Sequence, residues 1–308
     1  MKAVRYERFG GADVLEVRDV ETPSPGPGEV LVEVRAAGIN PGEALLRSGA
    51  LAEMFPSTFP SGQGSDLAGV VAALGDGVGD RAVGDEVIGW VDTRSSHAEI
   101  AVVPSEQLIA KPRQLAWETV GGLFVAGTTA RAAVRAVALR PGEVVVVSGA
   151  AGGVGCLTVQ LALEAGATVL GIAGAANHPW LGEHGVTPID YADGLDAVAA
   201  RITTLAPNGV DAFIDTFGHG YVDLAVRIGI RADRINTIID FDAVQRHAVR
   251  MEGNAQGAST DDLSELATRL VEGRLELPVA ASYPLREVRA AFEELERRHT
   301  RGKIVLIP

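Results

Sequence analysis

A single cysteine, Cys156, is all the thiol chemistry this chain possesses. That excludes an internal disulfide framework and every cysteine-based zinc cluster, since each needs more than one thiolate. Long apolar runs are missing too: no stretch approaches the roughly 18 residues that a membrane-spanning helix requires. The opening MKAVRYERFGGADVLEV turns polar by its fifth residue and lacks an apolar signal core, so a soluble, cytoplasmic protein is expected. Basic residues are scarce. Lys and Arg total 27 against 40 Asp and Glu, a formal charge of −13. A polyanion would be repelled by that balance, so neither nucleic acid nor an acidic membrane surface is expected as a partner. A small anion held by local donors is untouched by this argument. Internal repeats and low-complexity segments are also absent.

What is present is ordinary globular material. The 308 residues suit about two domains with real cores, and 47% hydrophobic with 22% charged residues is far from disordered composition. Glycine is abundant at 37, pointing to many turns or close backbone approaches. The first hundred residues read as β: short apolar runs at 30–34, 69–73, 86–90 and 99–103 are separated by Gly/Pro punctuation. A barrel-like or sandwich domain is expected there. From about Trp117 the texture changes. An Ala-rich helical stretch at 125–139 ends at Arg140-Pro141-Gly142, and four consecutive valines, 144–147, mark a strand buried on both faces.

Strand and helix then alternate: a helix at 154–165, a strand at 168–172, a weak helix near His184, a strand at 209–214, a helix at 222–228 and a strand at 235–239. That alternation predicts βαβ units and a doubly wound parallel sheet. Ser259-Thr260-Asp261-Asp262 opens a helix running to about Glu272. A strand at 277–283, a helix at 285–298 and a strand at 303–307 finish the chain.

Gly149-Ala150-Ala151-Gly152-Gly153-Val154-Gly155 lies between the four-valine strand and a helix. Glycines let the backbone turn sharply and approach a pyrophosphate, and a helix N-terminus offers N–H groups and a positive dipole end. Placement between a buried strand and a helix makes dinucleotide binding the reading of this loop, although Ala150 stands where the usual G-x-G-x-x-G pattern has its first glycine. Gly75, Gly77 and Gly79 have no helix after them and read as a hairpin turn. NAD readers carry an acidic residue at the end of the second strand to bond the ribose 2′-hydroxyl. None occurs between Ala165 and Gly182. A 2′-phosphate meets no repulsion there, so NADPH is expected over NADH.

These residues resemble a known family. Gly38-Ile39-Asn40-Pro41-Gly42-Glu43 with Arg47-Ser48-Gly49 is similar to the N-terminal signature of the zinc-independent quinone oxidoreductases, the zeta-crystallin-like branch of the medium-chain dehydrogenase/reductase superfamily. Similar matches follow in order at Gly64 to Val71, Val83 to Val87, Ala126 to Ala130, Gly152 to Gly155, Asp215 to Gly218 and Thr300 to Leu306. The resemblance implies an α/β protein with a GroES-like β-barrel-type domain, 1–118 plus 275–308, and a Rossmann doubly wound domain, 119–274. It also implies NADPH as cofactor and a homodimer formed through the Rossmann sheet edges. Zinc-dependent relatives have Cys where Asn40 stands and His where Ser65 stands, so hydride transfer without metal is implied.

Residue by residue, the resemblance puts Asn40 beside the nicotinamide as the catalytic position and Thr129 near the nicotinamide ribose. Ala150, Gly152, Gly153, Val154 and Gly155 take the pyrophosphate, with Thr216 and Phe217 beside them. Gly174 and Tyr191 match the 2′-phosphate site, where His178 stands in place of a frequent Lys and brings a weaker contact. Arg298, Arg301 and Lys303 are basic residues through which the tail could reach the cofactor. Leu45 and Leu51 replace tyrosines common in the substrate pocket. A leucine cannot donate to a quinone or enone oxygen, so an apolar pocket is expected. His97, His219 and His299 have no spacing that pairs them with an acid or a nucleophile, and a structural role is expected of each. The residues thus point to an NADPH-dependent reductase of a small apolar quinone or α,β-unsaturated carbonyl. An enoyl reductase acting on carrier- or CoA-bound chains would perform the same step, and an NADPH-binding structural or sensor protein would keep the fold without turnover.

Overall fold

A computed structural model describes residues 1–308 and divides the chain into two compact units, Met1–Val125 with Ser259–Pro308, and Ala126–Ala258. In chain order the first unit begins with an antiparallel pair, β1 (Lys2–Arg5) and β2 (Glu16–Asp19). Then come β3 (Glu29–Gly38), helix α1 (Pro41–Ser48), β4 (Asp66–Leu74), β5 (Glu86–Trp90), β6 (Ile100–Pro104) and β7 (Leu108–Ala110). Helix α2 (Leu123–Ala136) leads into the second unit. That unit holds β8 (Val144–Ser148), α3 (Gly155–Glu164), β9 (Thr168–Ile172), β10 (Thr187–Ile189), β11 (Ala212–Asp215) and β12 (Ile235–Thr237). The chain returns to the first unit with α4 (Thr260–Val271), β13 (Val279–Pro284), α5 (Val288–Glu296) and β14 (Lys303–Ile307).

In the first unit seven strands pair in the order β13-β14-β3-β4-β5-β7, with β6 on the other side of part of β3. The long β3 alternates buried and less buried residues, and Val30, Val32 and Val34 face a core with Leu67, Val87 and Val103. A separate apolar cluster joins Tyr6, Leu15, Ile39, Phe292 and Leu306. Gly75, Gly77 and Gly79 lie in the connection between antiparallel β4 and β5, the hairpin expected of them. Helix α4 belongs with this unit, where it packs on β7. The division therefore falls after Val125 and Ala258 rather than at 118 and 274 as the resemblance implied. The start of α4 agrees with the sequence: the Ser259 hydroxyl accepts from the Asp262 N–H at 3.0 Å.

The second unit is a five-stranded parallel sheet in the order β10-β9-β8-β11-β12. Its central strand β8 is the valine run, with Val145, Val146 and Val147 fully buried, as a strand covered on both faces requires. Chain order reverses direction between β8 and β11. In an open parallel sheet, ligands are taken at the carboxyl ends of the strands flanking such a reversal.

Candidate functional site

Each unit carries one chemically distinctive region. In the second unit it lies where β8 and β11 end. Ser148 and Asp215, the last residues of those strands, are both fully buried, and the Ser148 hydroxyl donates to the Asp215 carboxylate at 2.6 Å. Asp215 also accepts from the Phe217 and Gly218 backbone N–H groups and from the Thr237 hydroxyl at 2.8 Å. Thr216 donates its hydroxyl to the Ser148 carbonyl at 2.7 Å. One buried carboxylate thus ties together the ends of β8, β11 and β12 and sets the loop that carries Thr216 and Phe217.

The glycines of 149–155 divide into two kinds. Gly149 has φ +59°, a conformation L side chains rarely adopt, and a methyl at Gly155 would overlap the Gly149 carbonyl oxygen. Those two are demanded by the turn itself. A methyl at Gly152 would meet only that same oxygen, at 3.3 Å, and Gly152 is half-buried with no left-handed φ. Nothing in the fold requires glycine there beyond that one close neighbour, and no other atom lies within 4 Å of where the methyl would stand. Helix α3 starts immediately afterwards with no side-chain cap. Its first-turn N–H groups and dipole end make a neutral cradle for an anion. The loop fits a dinucleotide pyrophosphate.

At the end of β9, Gly174 and Tyr191 come together: a methyl on Gly174 would stand 3.2 Å from the Tyr191 hydroxyl. His178 is half-buried and shares a hydrogen bond with the Ala173 carbonyl through Nε2 at 3.1 Å, which makes that nitrogen the protonated one. No carboxylate lies on the segment from Ala173 to Gly182. Thr129 is buried in α2, beside Thr128, whose hydroxyl accepts from the Asn254 side chain at 2.9 Å.

The first unit's region is built from side chains. Asn40 precedes α1, with Pro41 at its first position and Glu43 reaching back to the Asn40 backbone N–H at 3.1 Å. Asn-Pro-x-Glu is a helix start in which the Glu satisfies an otherwise unpaired N–H. The Asn40 side chain donates through Nδ2 to Glu43 Oε1 at 3.2 Å and to Asp66 Oδ2 at 3.1 Å. Its Oδ1 accepts from Lys303 Nζ at 2.6 Å. Lys303 also donates to the Ile39 carbonyl at 2.9 Å and lies 3.5 Å from Asp66. Asp66 Oδ1 accepts from the Val125 N–H, in the first turn of α2, at 2.7 Å. All four side chains are buried.

Burial dominates the electrostatics. It pushes the Glu43 carboxyl up to about 7, with the nearby Asp66 charge adding to the rise and the Asn40 hydrogen bonds and Lys303 opposing it. Asp66 is raised by burial against the pull of Lys303. His97 lies 3.8 Å from Glu43 and is held neutral, pushed down to about 4 by burial, while its Nε2 bonds the Gly38 carbonyl at 3.1 Å.

Lys303 differs in setting from the two arginines with which the sequence groups it. The resemblance groups it with Arg298 and Arg301 as a cofactor contact, but β14 carries it inward and its ammonium is committed to Asn40, Ile39 and Asp66. Arg298 and Arg301 stay exposed, Arg298 with φ +57° just past the end of α5. Leu45 on α1 and Leu51 after it are half-buried. Sequence reasoning missed Glu43 and Asp66 as site members and left His97 unpaired. The signal for Glu43 was present in the capping spacing. Nothing local marked Asp66, His97 or Lys303 as neighbours of Asn40, because their meeting depends on tertiary folding.

Two family models match the chain: the alcohol dehydrogenase GroES-like domain over residues 26–113 and the zinc-binding dehydrogenase model over residues 184–306. Both models describe dehydrogenase domains, and the chain resembles the medium-chain dehydrogenase/reductase superfamily. It is 29% identical to the quinone oxidoreductase of Rattus norvegicus over 322 aligned residues, covering 99% of this chain and 96% of that protein. It is 39% identical to the synaptic vesicle membrane protein VAT-1 homolog of Mus musculus over 217 residues, 68% of this chain, but spans only about half (52%) of that relative's length. Among solved structures, the quinone oxidoreductase from Coxiella burnetii superimposes with TM-score 0.90 at 29% identity, covering 100% of this chain and 99% of that one. A mycobacterial protein complexed with NADPH gives 0.87 at 26% identity with full coverage of both chains. The CurK enoyl reductase gives 0.85 at 26% identity, covering 99% and 98%. The fold agrees with the sequence expectation, and several of these relatives are named as oxidoreductases. No group of three or more His, Cys, Asp or Glu side chains is placed to hold a metal ion, and no helix is long and apolar enough to cross a membrane.

Proposed function

We propose that this protein is an NADPH-dependent, zinc-independent oxidoreductase that delivers hydride to an apolar quinone or α,β-unsaturated carbonyl. The observation that carries the reading is the glycine loop at the reversal between β8 and β11, whose Gly152 leaves backbone open to an anion. End-to-end similarity to quinone oxidoreductases supports it. When bound, the cofactor supplies the hydride; this chain's residues supply position. Gly152, Gly153 and Val154 with the start of α3 take the pyrophosphate, flanked by Ala150, Thr216 and Phe217. Gly174, Tyr191 and His178 take the 2′-phosphate, Thr129 the nicotinamide ribose, and Arg298 supplements the anion contacts. Asn40 borders the nicotinamide.

Asn40 and Lys303 have no proton to give a substrate oxygen. Both Asn40 N–H groups face carboxylates and Lys303 faces three acceptors. The product oxyanion or enolate then takes its proton from solvent, and rate comes from holding donor and acceptor at attack distance. Leu45 and Leu51 give the acceptor an apolar wall. Asn40 and Ser65 offer neither thiolate nor imidazole where the zinc-dependent relatives carry Cys and His, so catalysis proceeds without zinc, and EDTA leaves the rate unchanged. A homodimer joined through the edges of the parallel sheet completes the reading.

Similarity to an enoyl reductase and the leucines at 45 and 51 favour, as a second reading, the same step on a carrier- or CoA-bound enoyl chain. The deciding experiment follows NADPH oxidation with a panel of quinones, enones and enoyl thioesters. Turnover with quinones or enones is expected. Turnover confined to thioesters would select the second reading, and no turnover with any acceptor would contradict both.

A further inference from the structure

The Asn40 carboxamide is saturated on three sides, and one of its partners is a buried cation whose removal would leave it loose. Only the carbonyl oxygen of an amide can face an ammonium, and only its N–H groups can face carboxylates. With Lys303 at 2.6 Å on Oδ1, and Glu43 and Asp66 at 3.2 and 3.1 Å on Nδ2, one amide orientation satisfies all three partners. The flipped amide would oppose every one of them. Lys303 is itself pinned by the Ile39 carbonyl and Asp66, and its methylenes lie against Gly122, where an added methyl would stand 3.0 Å from Cε. Gly38 closes the remaining space: a methyl there would press on Asp66 Oδ2 at 2.8 Å.

We propose that Lys303 is a positioning residue, an internal cation that fixes the orientation of the Asn40 carboxamide and influences the reaction only through that side chain. Held this way, Asn40 offers no N–H to a ligand. What remains is the second lone pair of Oδ1, so the group it meets must be a hydrogen-bond donor rather than a carbonyl acceptor. An ammonium in a buried carboxylate pair also keeps Glu43 and Asp66 from repelling each other apart. Removing it therefore costs both the Oδ1 partner and the geometry of the two Nδ2 acceptors.

The kinetic arm of the test rests on the reductase reading above; the spectroscopic arm does not. Nitrogen-15 NMR follows hydrogen exchange of the Asn40 side-chain amide, identified by the signal lost in Asn40→Ala. In the parent both Nδ2 protons should exchange slowly, and in Lys303→Met at least tenfold faster. Should Lys303→Met fail to fold, the charge-balanced Lys303→Met/Asp66→Asn variant is compared with Asp66→Asn alone, and the same acceleration is expected between those two. In turnover of NADPH with 1,4-naphthoquinone, Lys303→Met should lower kcat at least tenfold while leaving the Kd values for NADPH and NADH within about threefold. In an Asn40→Ala background it should change kcat no further. Fast exchange in the parent, a tenfold loss of NADPH binding that spares NADH, or a kcat loss that adds to that of Asn40→Ala would each overturn the proposal. A parent that binds and oxidises no NADPH would overturn the reductase reading instead, and the exchange rates alone would then decide the role of Lys303.

Discussion

The glycine loop and the Asn40 cluster solve opposite physical problems. The loop is made of backbone: small residues, Gly149 and 152–154 half-buried, with no charged side chain between Gly149 and Gly155 and a helix end supplying its positive potential. The cluster is made of side chains: two carboxylates, an ammonium and a carboxamide, all buried and mutually bonded. An open cradle suits an anion that arrives and leaves. A closed, saturated network suits a side chain that must not move, because partly satisfied buried polar groups are costly and fully satisfied ones are rigid. The difference teaches that the loop should tolerate no added bulk where ligand approaches, whereas the cluster should tolerate no change in charge.

The largest effect expected from this contrast separates two glycines of one loop. Gly155→Ala places a methyl into the Gly149 carbonyl and should destabilise the fold by at least about 3 kcal/mol, read as a loss of denaturation midpoint without any ligand present. A stable Gly155→Ala protein would mean that the loop is looser than its geometry implies.

Next in size is the pH response of the cluster. The Glu43 carboxyl, raised from 4.5 to about 7, binds its proton more tightly in the folded protein than in the unfolded chain. Its contribution to stability is complete below about pH 4.5 and is lost as pH rises through about 7, an effect of order 3 kcal/mol at most. His97, lowered from 6.5 to about 4, acts in the opposite sense, its contribution present above 6.5 and lost as pH falls through about 4. Glu43→Gln should lower stability overall by removing an acceptor, yet flatten the decline between pH 5 and 8. An unchanged decline in that variant would place the titrating group elsewhere.

The smallest effect tests the cradle's far end. Tyr191→Phe should weaken NADPH about tenfold and leave NADH nearly unaffected, since only NADPH carries the phosphate and one charge-assisted hydrogen bond is worth about 1.5 kcal/mol. Equal weakening of both cofactors, measured by titration calorimetry, would assign the hydroxyl a structural role.

The same contrast explains what could be read before the structure. The loop is local: a valine run, seven residues and a helix, all contiguous, so strand, turn and helix were recoverable from pattern alone. The parallel sheet was legible for the same reason, although the short β10 and the helix Leu195–Leu205 carry too little alternation to have stood out. The cluster is not local. Asn40 and Lys303 are separated by most of the chain, and Asp66 and His97 reach them from other strands and loops. A lysine in a buried terminal strand looks, in sequence, like any basic residue near a chain end. The expected boundary at 274 and the division of the structure after Ala258 differ by one helix, because a well-capped helix carries no mark of which core it packs on. Resemblance supplied Asn40, but only packing revealed what holds it.

Thermal melts of the parent and of Gly152→Val, each with and without NADPH, test the central claim most directly. A valine at 152 adds bulk where the backbone is open, at a residue with no left-handed φ and one near neighbour, so the unliganded variant should melt close to the parent. NADPH at a hundredfold excess over its dissociation constant should stabilise the parent by about 2.7 kcal/mol and the variant not at all. A stabilisation by NADPH that survives in Gly152→Val would show that the dinucleotide is held somewhere other than this loop.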